Sequence, residues 1–205
     1  LVQPFHTAPW NYAGTESVTS IPTDVTDWVL IELRDAATPA EAATSFLKMA
    51  CFLKSDGTVT GLDGSSLPEI GNYTVTNNLY VVVRHRNHIA VMSSEGLVHS
   101  GNTYTYDFTT DITKAYNGAA GYKQIATGVY GMVAGDADAD GSVYPSDYNQ
   151  WASKYNSTGY KNSDFDMDTN VYPSDYNKWA TNYNKGNPLL KSSGKNYRSQ
   201  VPGDN

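Results

Sequence analysis

Residues 136–151 read DADADGSVYPSDYNQW, and residues 164–179 read DFDMDTNVYPSDYNKW. The second stretch repeats the first at a period of 28 residues, with VYPSDYN identical in both copies. Self-similarity of this kind marks a duplicated structural unit. Counted from the first Asp of each copy, carboxylates stand at positions 1, 3, 5 and 12. These are Asp136, Asp138, Asp140 and Asp147, then Asp164, Asp166, Asp168 and Asp175. Alternate acidic residues on a tightly wound loop aim three side chains at one point, and the carboxylate at position 12 can close the set with both oxygens. Ser142 and Asn170, at position 7, are placed to add a backbone carbonyl. A cation that takes about six to eight oxygens relieves the repulsion, which favours Ca2+ over the smaller, water-retaining Mg2+. The sequence therefore predicts two Ca2+ sites.

The second copy carries Thr169 where the first has Gly141. That position of such a loop calls for positive φ, which is unfavourable for a β-branched residue. Val143 and Val171, at position 8, are expected to pair with each other as a small bridge. A short helix should follow each loop, with Ser146 and Ser174 as N-caps. Tyr148, Trp151 and Tyr155 then recur at helical spacing, as do Tyr176, Trp179 and Tyr183. Two uses are open to these rings: packing the helices together or onto the preceding domain, and forming a platform on which sugars stack.

Working outward from the repeat, residues 25–34 (VTDWVLIELR) carry the strongest strand signal. Trp28, Leu30 and Glu32 fall on one face; Val29, Ile31 and Leu33 fall on the other. Further strands are expected over 15–20, 45–54, 58–62, 72–76, 79–86, 102–109 and 129–134, with 89–93 continuing 79–86 past a bend at Asn87. Residues 112–116 read as a short helix or an irregular crossing. Seven or eight short strands over 15–134, with turn signals roughly every 8–12 residues, predict an immunoglobulin-like β-sandwich. The expected fold is thus mainly β, a sandwich over 15–134 followed by a duplicated calcium-binding module over 135–184.

The net charge of -7 is confined to the eight loop carboxylates, and two bound Ca2+ would bring it to about -3. No basic stripe invites nucleic acid, and no apolar run reaches the roughly 20 residues of a membrane span. The lone cysteine, Cys51, lies in an apolar run and reads as a core residue. Arg84, His85, Arg86 and His88 form the one basic cluster and read as end-of-strand groups that bond turns or pair with Asp. No nucleophile elbow, zinc motif or phosphate loop is present, so the chain reads as a non-enzyme. Asn72-Tyr73-Thr74 and Asn156-Ser157-Thr158 match the acceptor pattern for N-linked glycans. A chain that opens on Leu1 has the look of a processed, secreted form or a fragment.

The repeat resembles dockerin modules, with two loops of D-x-[DN]-x-D-G type, Asp at position 12, and a helix after each. The resemblance implies calcium-dependent folding of loop and helix, and docking of the pair onto a partner domain. Beyond it, PWNYAGTES (9–17), DWVLIELRD (27–35), YVVVRHRNHIAVMS (80–93) and GDADADG (135–141) resemble secreted proteins of Bacteroidetes-like bacteria that join an immunoglobulin-like sandwich to terminal calcium loops. The chain is also similar to protomers of extracellular helical fibrils built by donor-strand exchange. That likeness implies a secreted, cell-surface subunit whose partners are further copies of itself, with glycans as further partners.

Residues 1–14 form an apolar arm with Leu1, Val2, Phe5, Trp10 and Tyr12 ahead of the first confident strand. Exposed, such groups would be adhesive. Two seats are open to the arm: its own sheet, or a groove of a neighbouring subunit whose sheet it completes. Residues 185–205 are polar and without periodicity, a tail expected to order only against another surface, such as a neighbouring subunit.

Overall fold

Nine strands and two α-helices make up the computed structural model, which describes residues 1–186 and 201–203. The strands β1 (Val25–Ala36), β2 (Leu47–Lys54), β3 (Val59–Thr60), β4 (Asn78–Arg84) and β5 (Val91–Met92) form one antiparallel sheet in the order β3-β2-β1-β4-β5. Two antiparallel ribbons follow: β6 (Val98–Ser100) with β7 (Thr103–Thr105), and β8 (Tyr122–Ala126) with β9 (Val129–Met132). Helices α1 (Pro145–Lys154) and α2 (Pro173–Asn182) complete a mainly β chain.

The central strand β1 is buried on both faces because its two sets of alternating side chains each meet a separate core. Val29, Ile31 and Leu33 pack with Cys51, Leu79, Val83 and Val91, and Tyr104, Phe108 and Met132 reach this layer from the loops and ribbons. Cys51 is an inert member of it, its thiol pushed up to about 12 by burial and by the charge of Glu16. On the opposite face Trp28 and Leu30 pack with Ala50, Phe52 and Phe5. Glu32 sits in the middle of that face, ion-paired to Arg34 at 2.7 Å, Arg84 at 2.8 Å and Lys48 at 2.9 Å. Burial works against its charge, but the cations, Arg84 foremost, hold the carboxyl down to about 2. The far end of the face is lined by Ala36, Ala42, Tyr80, Val82 and Met92, with Val201 seated among them.

Within the single chain the arm sits on its own sheet. Val2 bridges Ser17, Gln3 N–H donates to the Glu16 carbonyl, and Val18 N–H donates to the Leu1 carbonyl. Phe5 is fully buried on the sheet with Trp10 edge-on to it, and Tyr12 donates to Glu16. Only Leu1 and Val2, 65% and 62% exposed, keep large apolar surface in solvent. Of the tail, residues 201–203 lie against the chain's own sheet. The rest of the expected tail from residue 187 lies outside the described residues.

Several strand expectations need correction. Residues 89–93 do not prolong β4; Val91–Met92 doubles back and pairs with Val82 and Val83. Residues 72–76 form no strand, because the Asp35 carboxylate captures Thr76 N–H at 2.6 Å and Asn77 N–H at 2.8 Å, offering the backbone an alternative to a ladder. Residues 15–20 reduce to the single bridge at Ser17, and Pro22 ends that stretch. β6 and β8 were not foreseen. Residues 112–116 become one turn of 3-10 helix over Ile112–Lys114, capped by Asp111.

Candidate metal centre

Each loop is wound by the same hydrogen bonds. In the first, both oxygens of Asp136 accept, from Asp140 N–H and Gly141 N–H, each at 3.0 Å. In the second, Asp164 accepts from Asp168 N–H and Thr169 N–H, each at 3.1 Å. Asp147 accepts from Ala137 N–H at 2.7 Å and Tyr144 N–H at 2.8 Å; Asp175 accepts from Phe165 N–H at 2.6 Å and Tyr172 N–H at 2.8 Å. The first and last carboxylates thus lace the loop shut before any ion is considered. Positive φ is needed twice per loop, at Ala139 (56°) and Gly141 (83°), and at Met167 (62°) and Thr169 (73°). Thr169 adopts the left-handed conformation despite its branched Cβ, a strain of about 1–2 kcal/mol.

Carboxylate oxygens of Asp136, Asp138 and Asp147 lie within 4.8 Å of one another, as do those of Asp164, Asp166 and Asp168. Each group could hold a metal ion. Asp140 turns one oxygen to Ser142 N–H at 3.0 Å, and Asp168 one to Asn170 N–H at 2.7 Å. Asp136 and Asp147 are buried to 1% and 0% exposure. Burial, then repulsion from Asp147, Asp140 and Asp138, pushes the Asp136 carboxyl well above the usual range. Asp147 is raised to about 7, by burial first and by the charge of Asp138. In the second loop burial also raises Asp164 and Asp175, and Arg86 opposes the shift at Asp164. The donor set suits a hard divalent cation: it is all oxygen, and the buried Asp166 Oδ1 has no hydrogen-bond partner.

The two copies interlock. Val143 and Val171 do not bridge to each other. Val143 pairs with Asn184 and Lys185, the chain leaving α2, while Val171 pairs with Asn156 and Ser157, the chain leaving α1. The expected bridge is lost because each position-8 backbone is already satisfied by the other copy's helix exit. Trp151 Nε1 donates to the Tyr172 carbonyl and Trp179 Nε1 to the Tyr144 carbonyl, at 3.1 and 3.0 Å, repeating the exchange. The N-caps are Tyr144 and Tyr172, not Ser146 and Ser174. Pro145 and Pro173 take N1, and the N3 carboxylates Asp147 and Asp175 bond back to the cap N–H groups.

Sequence reasoning foresaw that the basic cluster would bond turns and Asp, but not which ones. Asp27 accepts from Arg86 Nε at 2.8 Å and Tyr160 at 2.6 Å, and lies 3.1 Å from His85 Nε2. Burial opposes its charge, yet His85, Arg86 and Tyr160 together hold the carboxyl well below the usual range. Arg86 also approaches Asp164 at 3.7 Å. Asn87 clamps both loops: its carbonyl accepts from Gly135 N–H and Asp136 N–H at 3.0 and 3.1 Å, and its side chain donates to the Asp164 carbonyl at 2.6 Å. The one available signal was an Asp placed inside the most apolar strand with no turn to make. No protein-family model, curated protein or solved structure matches this chain.

The raised carboxyls bind protons more tightly in the folded than in the unfolded chain, so the ion-free fold gains stability from them as pH falls from about 7 towards 4. An entering divalent ion must displace the same protons. Terbium luminescence titrations between about pH 7.5 and 5.5 should therefore show first-loop affinity falling about twentyfold from Asp147 alone; a flat profile would refute the burial argument. Thr169→Gly should stabilise the chain by about 0.5–1 kcal/mol, and Gly141→Thr should cost about 1–2 kcal/mol. Thermal melting checks both, and a Thr169→Gly variant no more stable than the parent would contradict the assignment of strain to Thr169.

Proposed function

We propose that this chain is a non-enzymatic structural subunit of an extracellular filament, an immunoglobulin-like sandwich joined to a dockerin-like module and made rigid by two Ca2+ ions. The observation that carries the proposal is the burial of Asp136 and Asp147 with Asp138 in one oxygen cluster, repeated in outline by Asp164, Asp166 and Asp168. Carboxylate-rich sites of this kind suit Ca2+ better than Mg2+, and modules tuned to about 0.1–1 mM are filled outside cells. That chemistry favours a secreted location. The chain would hold the ion through Asp136, Asp138, Asp140, Ser142 and Asp147, and through Asp164, Asp166, Asp168, Asn170 and Asp175. The ion supplies charge neutralisation only.

Support for a structural role comes from the polar residues that could otherwise serve chemistry. His85, Arg86 and Tyr160 are engaged with Asp27, and Arg34, Arg84 and Lys48 with Glu32. Support for assembly comes from the arm. Phe5, Trp10 and Tyr12 dock on the sheet through one short strap, held at its start by the Val2–Ser17 bridge. An arm that covers a face of its own sheet in the isolated chain can cover a neighbour's in a filament, because the contacts are identical.

A second reading, a carbohydrate-binding or adaptor module, is favoured by the shallow aromatic groove between α1 and α2. Tyr148, Trp151, Tyr176 and Trp179 line it, with the exposed Tyr155 and Tyr183 beside the tryptophans.

The flanking bonds leave Val2 and Ser17 as a non-hydrogen-bonded pair, whose Cα atoms lie about 4.5 Å apart, within disulfide range. Val2→Cys with Ser17→Cys should therefore lock the arm in place. Electron microscopy and light scattering should show monomers when this variant is oxidised and fibres once it is reduced. Fibres formed by the oxidised protein would sink arm exchange. On the second reading, a protein that stays monomeric at all concentrations should be retained on polysaccharide columns and lose that retention on Trp151→Ala. Unchanged retention would exclude the groove.

A further inference from the structure

Val201, Pro202 and Gly203 occupy a socket on the sheet face that the arm leaves uncovered. Val201 is buried against Ala36, Ala42, Tyr80, Val82 and Met92. The buried Arg34 guanidinium, fixed by Glu32 at 2.7 Å, donates to the Ala42 carbonyl at 2.8 Å and also to the Pro202 carbonyl. Gly203 has a φ of 80°, and a Cβ there would run into the Ala43 carbonyl. The socket thus reads one apolar side chain, one main-chain carbonyl and one residue without a side chain. All three belong to three consecutive residues, as in the recognition of a short peptide rather than the packing of an element.

We infer that this socket is a docking site for the Val-Pro-Gly segment that works between copies as well as within one, its occupant in an assembly being the same segment of a second chain. Residues 187–200 connect the segment to Gly186. Fourteen residues span up to about 50 Å when extended, more than the width of roughly 35–45 Å expected of a chain of this size. Either socket is within reach, and local concentration decides which is filled. The inference adds a second contact to the filament proposed above, and its test does not involve the arm.

The experiment uses the full chain carrying Gly203→Val, which blocks its own docking, and a labelled peptide of residues 196–205. Fluorescence anisotropy should show the variant binding this peptide at least about tenfold more tightly than a peptide carrying Val201→Asp, the equivalent of one buried apolar side chain. Wild-type chain, its socket filled, should bind the peptide more weakly than the variant does. Circular dichroism confirms that the variant is folded, and full-length Val201→Asp serves in its place if it is not. Equal binding of the two peptides by a folded variant would overturn the inference.

Discussion

Convergence of carboxylates on two small loops is the constraint around which the C-terminal part of this chain is organised. Asp136 and Asp147 are buried together, and Asp164 and Asp175 repeat the arrangement. Backbone N–H groups satisfy part of each carboxylate, and the same bonds wind the loop and start the helix that follows. The same carboxylates still face like charges, Asp136 those of Asp147, Asp140 and Asp138. Protonation relieves this at low pH, and a divalent ion relieves it at neutral pH without loosening the winding. The helices, their caps and the cross-pairing of the two copies all hang on that choice.

The loops are also fastened to the sheet. Asn87, three residues past the end of β4, holds the first residues of both loops, and Arg86 beside it lies between Asp27 and Asp164. Ile89 and Val133 share a core with Val143, so the module is continuous with the domain before it. Removing one partner from a buried ion pair of this kind typically costs about 3–5 kcal/mol, since the other charge is left uncompensated. An ion bound at Asp164 therefore stabilises more than its own loop: it fixes a residue that Arg86 and Asn87 tie to β1 and β4.

The parts of this arrangement that were legible in the sequence are those set by local pattern. Period-two alternation placed Trp28 and Leu30 opposite Val29, Ile31 and Leu33, and the 28-residue repeat pointed to the carboxylates that gather as Asp136, Asp138 and Asp147 and as Asp164, Asp166 and Asp168. Thr169 was recognisable as a residue in the wrong conformation. What was not legible depends on competition between distant partners. The strand expected at 72–76 lost its backbone donors to Asp35, about forty residues earlier. Val143 and Val171 found partners on the far side of the opposite helix. The seat of the arm and the docking of Val201 are contacts between chain segments that carry no periodicity, and only the folded sheet reveals the faces they cover.

Calorimetric titration of the ion-stripped chain with calcium, followed by thermal melting of the same samples, tests the central claim most directly. Two ions should bind per chain. Free calcium at about a thousand times the dissociation constant should add about 4 kcal/mol of stability for each site that forms only in the folded state. No heat of binding, and one melting temperature with calcium and with chelator, would contradict it.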